Sequence, residues 1–348
     1  MTAEPAAPAA RAEKRKPSFQ LIQAASVLLL LAAICAVAAV RTETFFTWRN
    51  LVSNVLTNSA ALGIIACGMT LVMIAGGFDL SVASSTAVCS VVAVLLLRAA
   101  GGQAPWLAVG LAIAGTALVG TLLGGVNGVL ISCVGVNPFV TTLSTMLVFR
   151  GIALILTHGG QTLGAPDSAY GAFRGIYWGS IHLLGSRAMP IKVPILIFLG
   201  VFVLSFCLLR FTRFGHYVYA VGGNENASWL AGINTPLVKA ATYTLTGLAC
   251  AIAAVIYTSM SRYAQAEGHL GLEMLVIASV IVGGTPLGGG SGGLGYSLIG
   301  LLLLSVIENL LPQFGVQTEY HNIVRGLIIL VVVTIDVLVR GRGKKARR

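Results

Sequence analysis

Charge is what this 348-residue sequence has least of. Asp, Glu, Lys and Arg together make up 9% of it, about a third of the roughly 25% usual in soluble domains. A water-facing surface cannot be built from so few charges, so most of the surface must meet something apolar. The chain also lacks any C-x-x-C pair. Its six cysteines (Cys35, Cys67, Cys89, Cys133, Cys207 and Cys250) lie singly in apolar stretches. They read as small buried hydrophobes, neither disulfides nor metal ligands. The five histidines share no metal-ligand spacing. No G-x-x-x-x-G-K-[ST] occurs, which excludes a P-loop ATP site. Gly288, Gly290 and Gly293 satisfy G-x-G-x-x-G, and Gly289, Ser291 and Gly293 satisfy G-x-S-x-G. Neither follows a strand or has a His–acid pair to work with, so neither reads as a dinucleotide site or a nucleophile elbow. No catalytic cluster, metal or cofactor is expected in this chain.

What the sequence does have is long apolar runs: 56% of its residues are hydrophobic, and 42 are glycine. Glycine at this level suits close contact between membrane helices. A span needs about 20 apolar residues. Eight runs meet or approach that length: 20–40, 55–75, 83–98, 105–123, 139–157, 193–210, 237–258 and 323–339. Two more, 274–283 and 294–311, flank a glycine-rich stretch; the first is short and reads as a broken or tilted helix that begins nearer Gly268. The expected fold is therefore all-α, a polytopic integral membrane protein of about ten transmembrane helices with some broken or re-entrant segments. The first run is too long for a signal-peptide core, and Ala-Ala-Val-Arg is a poor cleavage site, so it reads as a retained span.

The net charge of +11 sits largely at the ends. The tail 1–19 carries Arg11, Lys14, Arg15 and Lys16; the tail 340–348 carries Arg340, Arg342, Lys344, Lys345, Arg347 and Arg348. Basic tails beside apolar spans follow the positive-inside rule and do not point to nucleic acid. Both tails are expected in the cytoplasm, with 20–339 as one membrane domain. An even number of spans agrees, and places the connection 211–236 in the cytoplasm too. The loop 158–192 then lies outside although it carries Arg174, Arg187 and Lys192; the bias weakens in longer loops.

Four motifs stand out. Gly120, Gly124 and Gly128 are four apart and share one helix face, which permits close packing on a neighbour. In Ala75-Gly-Gly-Phe-Asp-Leu-Ser81 the apolar pattern breaks around Asp79, a costly residue at membrane depth. Asp79 either stands at a re-entrant break near a solute path, with Ser81 and Asn127, or caps the next helix. In Gly135-Val-Asn-Pro-Phe-Val-Thr-Thr142, Asn137 and Pro138 suit a helix start, while Thr141 and Thr142 offer hydroxyls to a hydroxylated solute. The segment from Arg213 to Ile233 is amphipathic in part and carries Trp229, Leu230 and Ile233, which favours docking against a partner.

Taken together and in order, these segments resemble the permease subunits of bacterial ABC sugar importers of the ribose, xylose, arabinose and galactofuranose group. The resemblance rests on Gly76-Gly-Phe-Asp-Leu-Ser-Val82, Gly124-Gly-Val-Asn-Gly128, Val136-Asn-Pro-Phe-Val-Thr-Thr-Leu143 with Arg150-Gly151, Arg213-Phe-Gly215, Ala220-Val-Gly-Gly-Asn-Glu225, Gly232-Ile-Asn234, Ile281-Val-Gly-Gly284 and Glu308-Asn309. It implies a homodimer in the bacterial inner membrane. A cytoplasmic ATPase subunit would hold the ATP and Mg, and a periplasmic binding protein would deliver the sugar. It also implies an ATPase-coupling loop comprising Arg213, Gly215, Gly222, Gly223, Asn224, Glu225 and Gly232. The chain departs from the family in having Asn226-Ala-Ser-Trp229 where charged residues are common. The competing reading is a secondary transporter of a small neutral solute driven by an ion gradient. It would need membrane-embedded ionisable groups, for which only Asp79 and Glu308 are placed.

Overall fold

The computed structural model describes residues 19–100, 103–182 and 190–317, with scattered positions between 319 and 334. Eight helical stretches among them are long and apolar enough to cross a membrane. They comprise α1 (Phe19–Arg41), a π-helical turn Arg49–Leu56 that runs straight into α2 (Thr57–Ile74), α3 (Val82–Ala99), α4 (Pro105–Ser132), α5 (Pro138–Leu156), α8 (Val193–Phe211), α11 (Thr235–Ser261) and α13 (Leu294–Gln313). A ninth apolar helix, α12 (Leu272–Gly283), is too short to cross alone. Most of the expected span 323–339 lies outside the described residues. Helices dominate because lipid leaves no water to satisfy the backbone, which must bond within each segment.

Local chemistry sets the helix ends. Asn137 caps α5 by accepting the Phe139 N–H at 2.9 Å, with Pro138 in the first turn. Asn234 does the same for α11 through the Leu237 N–H at 3.1 Å. Gly271 and Gly284, both at positive φ, bracket α12, which begins at Leu272, later than the sequence suggests. α4 also outruns its apolar signal by nine residues, from 123 to Ser132; Asn127 interrupts the hydropathy but not the helix.

α2 is the central helix, buried on nearly every side, and α1 and α8 lie at the periphery with mostly exposed faces. α4 and α11 pack antiparallel at unusually short range. Gly120 lies against Gly247, Gly124 against Tyr243 and Gly247, and Gly128 against Ala240. This is the small-residue crossing that membrane helices use where apolar burial gives no driving force.

The two ends of the bundle differ. At one, the junction end, α2 stops at Ile74, and α9 (Arg213–Gly223) and α10 (Glu225–Leu230) stand between α8 and α11. At the other, the clasp end, the short helices α6 (Asp167–Phe173) and α7 (Gly175–Trp178) cover the bundle. There β1 (Leu163–Gly164) pairs antiparallel with β4 (Tyr263–Ala264), and β2 (Ser180–His182) with β3 (Pro190–Lys192). Arg150 ties this end down by donating to the carbonyls of Ala266 and Gly268, and Arg262 pairs with Asp167 and lies over the Tyr170 ring.

Candidate functional site

The break at Ala75–Ser81 is built from buried polar contacts. Asp79 and Ser81 are almost wholly inaccessible. One carboxylate oxygen of Asp79 accepts both the Ser81 N–H at 2.8 Å and the Ser81 hydroxyl at 2.6 Å. Asn127, buried on α4, donates to Ser81 Oγ at 2.8 Å and reaches both Asp79 oxygens at 3.5 Å. A buried carboxylate is tolerable only when donors surround it. Here they come from its own turn and from a helix 48 residues away. Asp79 does not cap α3, whose N-cap position is Ser81 with no side-chain cap bond; it accepts from Ser81 two residues on, as an Asx turn does. Tyr243 on α11 completes the arrangement, its hydroxyl donating to the Phe78 carbonyl at 3.2 Å and occupying the space a side chain on Gly77 would need.

The structure brings Asp79, Ser81 and Asn127 together. Asn137 and Thr142 serve α5 itself, Asn137 by capping it and Thr142 by donating to the Pro138 carbonyl at 2.8 Å, whereas Thr141 is buried with its hydroxyl unpartnered.

The junction end also joins the glycine segments. Gly290 donates its N–H to the Ile74 carbonyl at 2.8 Å. Gly222, near the end of α9, presses on that same carbonyl so closely that a methyl group there would overlap it. Gly289 lies against Gly76 and Gly222, and Gly290 against Gly223. Thus Gly76 after α2, Gly222–Gly223 at the end of α9 and Gly289–Gly290 after α12 meet at one point. Gly215, beneath the Leu208 and Leu209 carbonyls, makes the tight turn from α8 to α9, and Gly232 takes positive φ after α10. Arg213 is exposed at the start of α9. Asn224 caps α10 through the Ala227 N–H at 3.0 Å, and Glu225 pairs with Lys239 of α11. The expected loop 211–236 is thus two helices fastened to the bundle.

A cavity of about 810 Å³ opens toward the clasp end. Its wall includes Arg49, Asn50, Asn54, Asn58, Glu308 and Asn309, of which Asn50, Asn54 and Asn58 escaped sequence reasoning. Their four-residue spacing was the available signal, because it sets three amides along one helix side. Among the described residues no group of three or more His, Cys, Asp or Glu is placed to hold a metal.

A helical bundle with an amide-bearing cavity toward one end and a short helical pair at the other is the build of a membrane permease. The family model described as "Branched-chain amino acid transport system / permease component" matches residues 51–333, and the chain belongs to that family. Among its relatives, the ribose import permease protein RbsC of Haemophilus influenzae is 36% identical over 91% of this chain and 93% of that protein. RbsC of Escherichia coli K12 is 35% identical over 89% and 92%. The L-arabinose transport system permease protein AraH of the same strain is 32% identical over 89% of each. No solved structure matches the chain.

Proposed function

We propose that this chain is the membrane permease of an ATP-driven importer of a neutral monosaccharide, working as a homodimer with a separate ATPase and a sugar-binding protein. The junction end faces the cytoplasm with both basic tails, and the clasp end receives the sugar. ATP and Mg belong to the ATPase. The observation that carries this reading is the α9–α10 pair. Trp229 is 66% exposed and Leu230 77% exposed, on a helix of six residues that cannot be a span. Exposed apolar side chains on so short an element suit a protein partner. The pair is seated through Gly222 on the Ile74 carbonyl, so a push on α9 reaches the end of the central helix and the Asp79 turn. The full-length relatives named for ribose and arabinose support the sugar class.

The test is uptake into proteoliposomes. The chain alone takes up no D-ribose under a proton or sodium gradient, whereas with its ATPase, the binding protein and ATP it does. Gradient-driven uptake by the chain alone would overturn the reading. Glu225→Lys sets two ammonium groups together where Glu225 now holds Lys239, so α10 shifts; Trp229→Ala removes the exposed anchor. Each lowers ATPase co-purification, while the yield of the membrane bundle is unchanged.

A further inference from the structure

The cavity toward the clasp end has a ladder of amides in its wall. Asn50 Nδ2 donates to Asn309 Oδ1 at 3.0 Å and Asn309 Nδ2 returns a bond to Asn50 Oδ1 at 3.1 Å, a reciprocal pair between residues 259 apart. Each partner has a second amide four residues further along its own helix. Asn54 donates to Asn50 Oδ1 at 2.9 Å, and Gln313 to Asn309 Oδ1 at 2.8 Å. On the α2 side the segment is π-helical, with the Thr57 N–H bonding the Val52 carbonyl five residues back. Such turns are rare and concentrate at functional positions. The remaining wall is apolar on one side, through Leu272, Leu275 and Leu304 with the Tyr257 ring, and carries one charge of each sign, Arg49 and Glu308. Its volume of about 810 Å³ lies within the roughly 300–1,000 Å³ of small-molecule sites.

We propose that this cavity is a transient binding site for one neutral monosaccharide in transit, and that the Asn50–Asn309 pair is a latch the sugar opens. The inference rests on the sugar-importer reading above and adds the place where the sugar pauses. An amide offers both donors and an acceptor, and so does each sugar hydroxyl. Replacing amide–amide bonds by amide–hydroxyl bonds exchanges like for like, so the sugar is admitted without a deep well, as a conducting path requires. The apolar wall suits the C–H face of a sugar ring, and the opposed charges of Arg49 and Glu308 sum to no net charge that would select an ion of one sign. Opening the pair separates the start of α2 from the end of α13, and α2 runs from there to Ile74 beneath the coupling helices.

The experiment uses the permease with its ATPase and binding protein in proteoliposomes, with D-ribose as probe. The double variant Asn50→Leu with Asn309→Leu removes both amides at once, leaving neither without the other. ATPase co-purification stays at the wild-type level, while D-ribose uptake falls about tenfold or more, the scale of two lost hydrogen bonds. In a second measurement, Asn54→Cys in the same complex is labelled with a hydrophilic maleimide, read at position 54 by peptide mass. D-ribose slows labelling and leucine does not. Wild-type uptake in the double variant, D-ribose-independent labelling at 54, or protection by leucine in place of D-ribose would each overturn the proposal. If the double variant fails to assemble, the labelling decides. If the wild-type complex takes up no D-ribose, the importer reading fails, and protection at 54 still reports on the cavity.

Discussion

His269 shows how much one side chain can ask of its surroundings. It lies between α11 and α12 at φ +64°, against the Tyr257 ring at 4.5 Å and 3.5 Å from the Ser90 hydroxyl. Burial, and secondarily the Arg150 guanidinium, push its pKa down from 6.5 to about 4. The folded chain therefore holds the imidazole neutral, and protonation favours opening. The contribution is complete above pH 6.5 and is lost as pH falls toward 4. Thermal unfolding of the purified chain should shift down across that window. His269→Asn, which tolerates positive φ and does not titrate, flattens the shift. An unchanged pH profile in the variant would show that other groups carry it.

At the scale of elements, the α4–α11 crossing is a joint made backbone to backbone. A methyl group on Gly124 would meet the Tyr243 carbonyl and lie 3.0 Å from Gly247, all backbone atoms that cannot swing aside. Gly125, one residue on, would meet only Thr244 Oγ1 at 3.8 Å. Gly124→Ala should lower the melting temperature of the detergent-solubilised chain by the equivalent of about 1–3 kcal/mol, the usual cost of overpacking. Gly125→Ala should match or exceed wild type, since the methyl group has room there and alanine is the better helix former. Equal melting temperatures would mean that the two helices slide freely. The joint also holds Asn127 opposite Asp79 and Tyr243 beneath Phe78, so helix packing and the polar turn stand or fall together.

On the scale of the whole molecule, two polar constructions sit toward opposite ends of the central helix. The amide ladder is at its start, and the Asp79 turn with its glycine junction is at its end. In the proposed function, a solute arriving at one and an ATPase acting at the other are linked by α2 itself, which has little free surface of its own. The proposed orientation has a direct test. Green fluorescent protein fused after Arg348 should fluoresce, and alkaline phosphatase inserted after Gly171 of α6 should be active, if the orientation is as proposed, with the C-terminal tail in the cytoplasm and α6 outside. The reverse pattern would invert the orientation and remove α9–α10 from the ATPase.

Hydropathy is a local sum, and what depends on local sums was legible in the sequence. The apolar runs 20–40 and 193–210 correspond to α1 and α8 within a residue or two, and the Asn137–Pro138 start of α5 lies where side-chain capping dictates. The same local sum hid the π-helical turn, whose asparagines depress the apolar signal, and cut α4 short before Asn127. Only the tertiary structure decided which distant groups meet. Asn50 finds Asn309, Asp79 finds Asn127, and Gly76, Gly222 and Gly289 converge. A polar group in an apolar bundle must be satisfied, but the chain can supply its partner from any helix. Composition alone established that this protein lives in a membrane. Where it opens an amide-bearing cavity, and how that cavity is joined to α9 and α10, follows from packing.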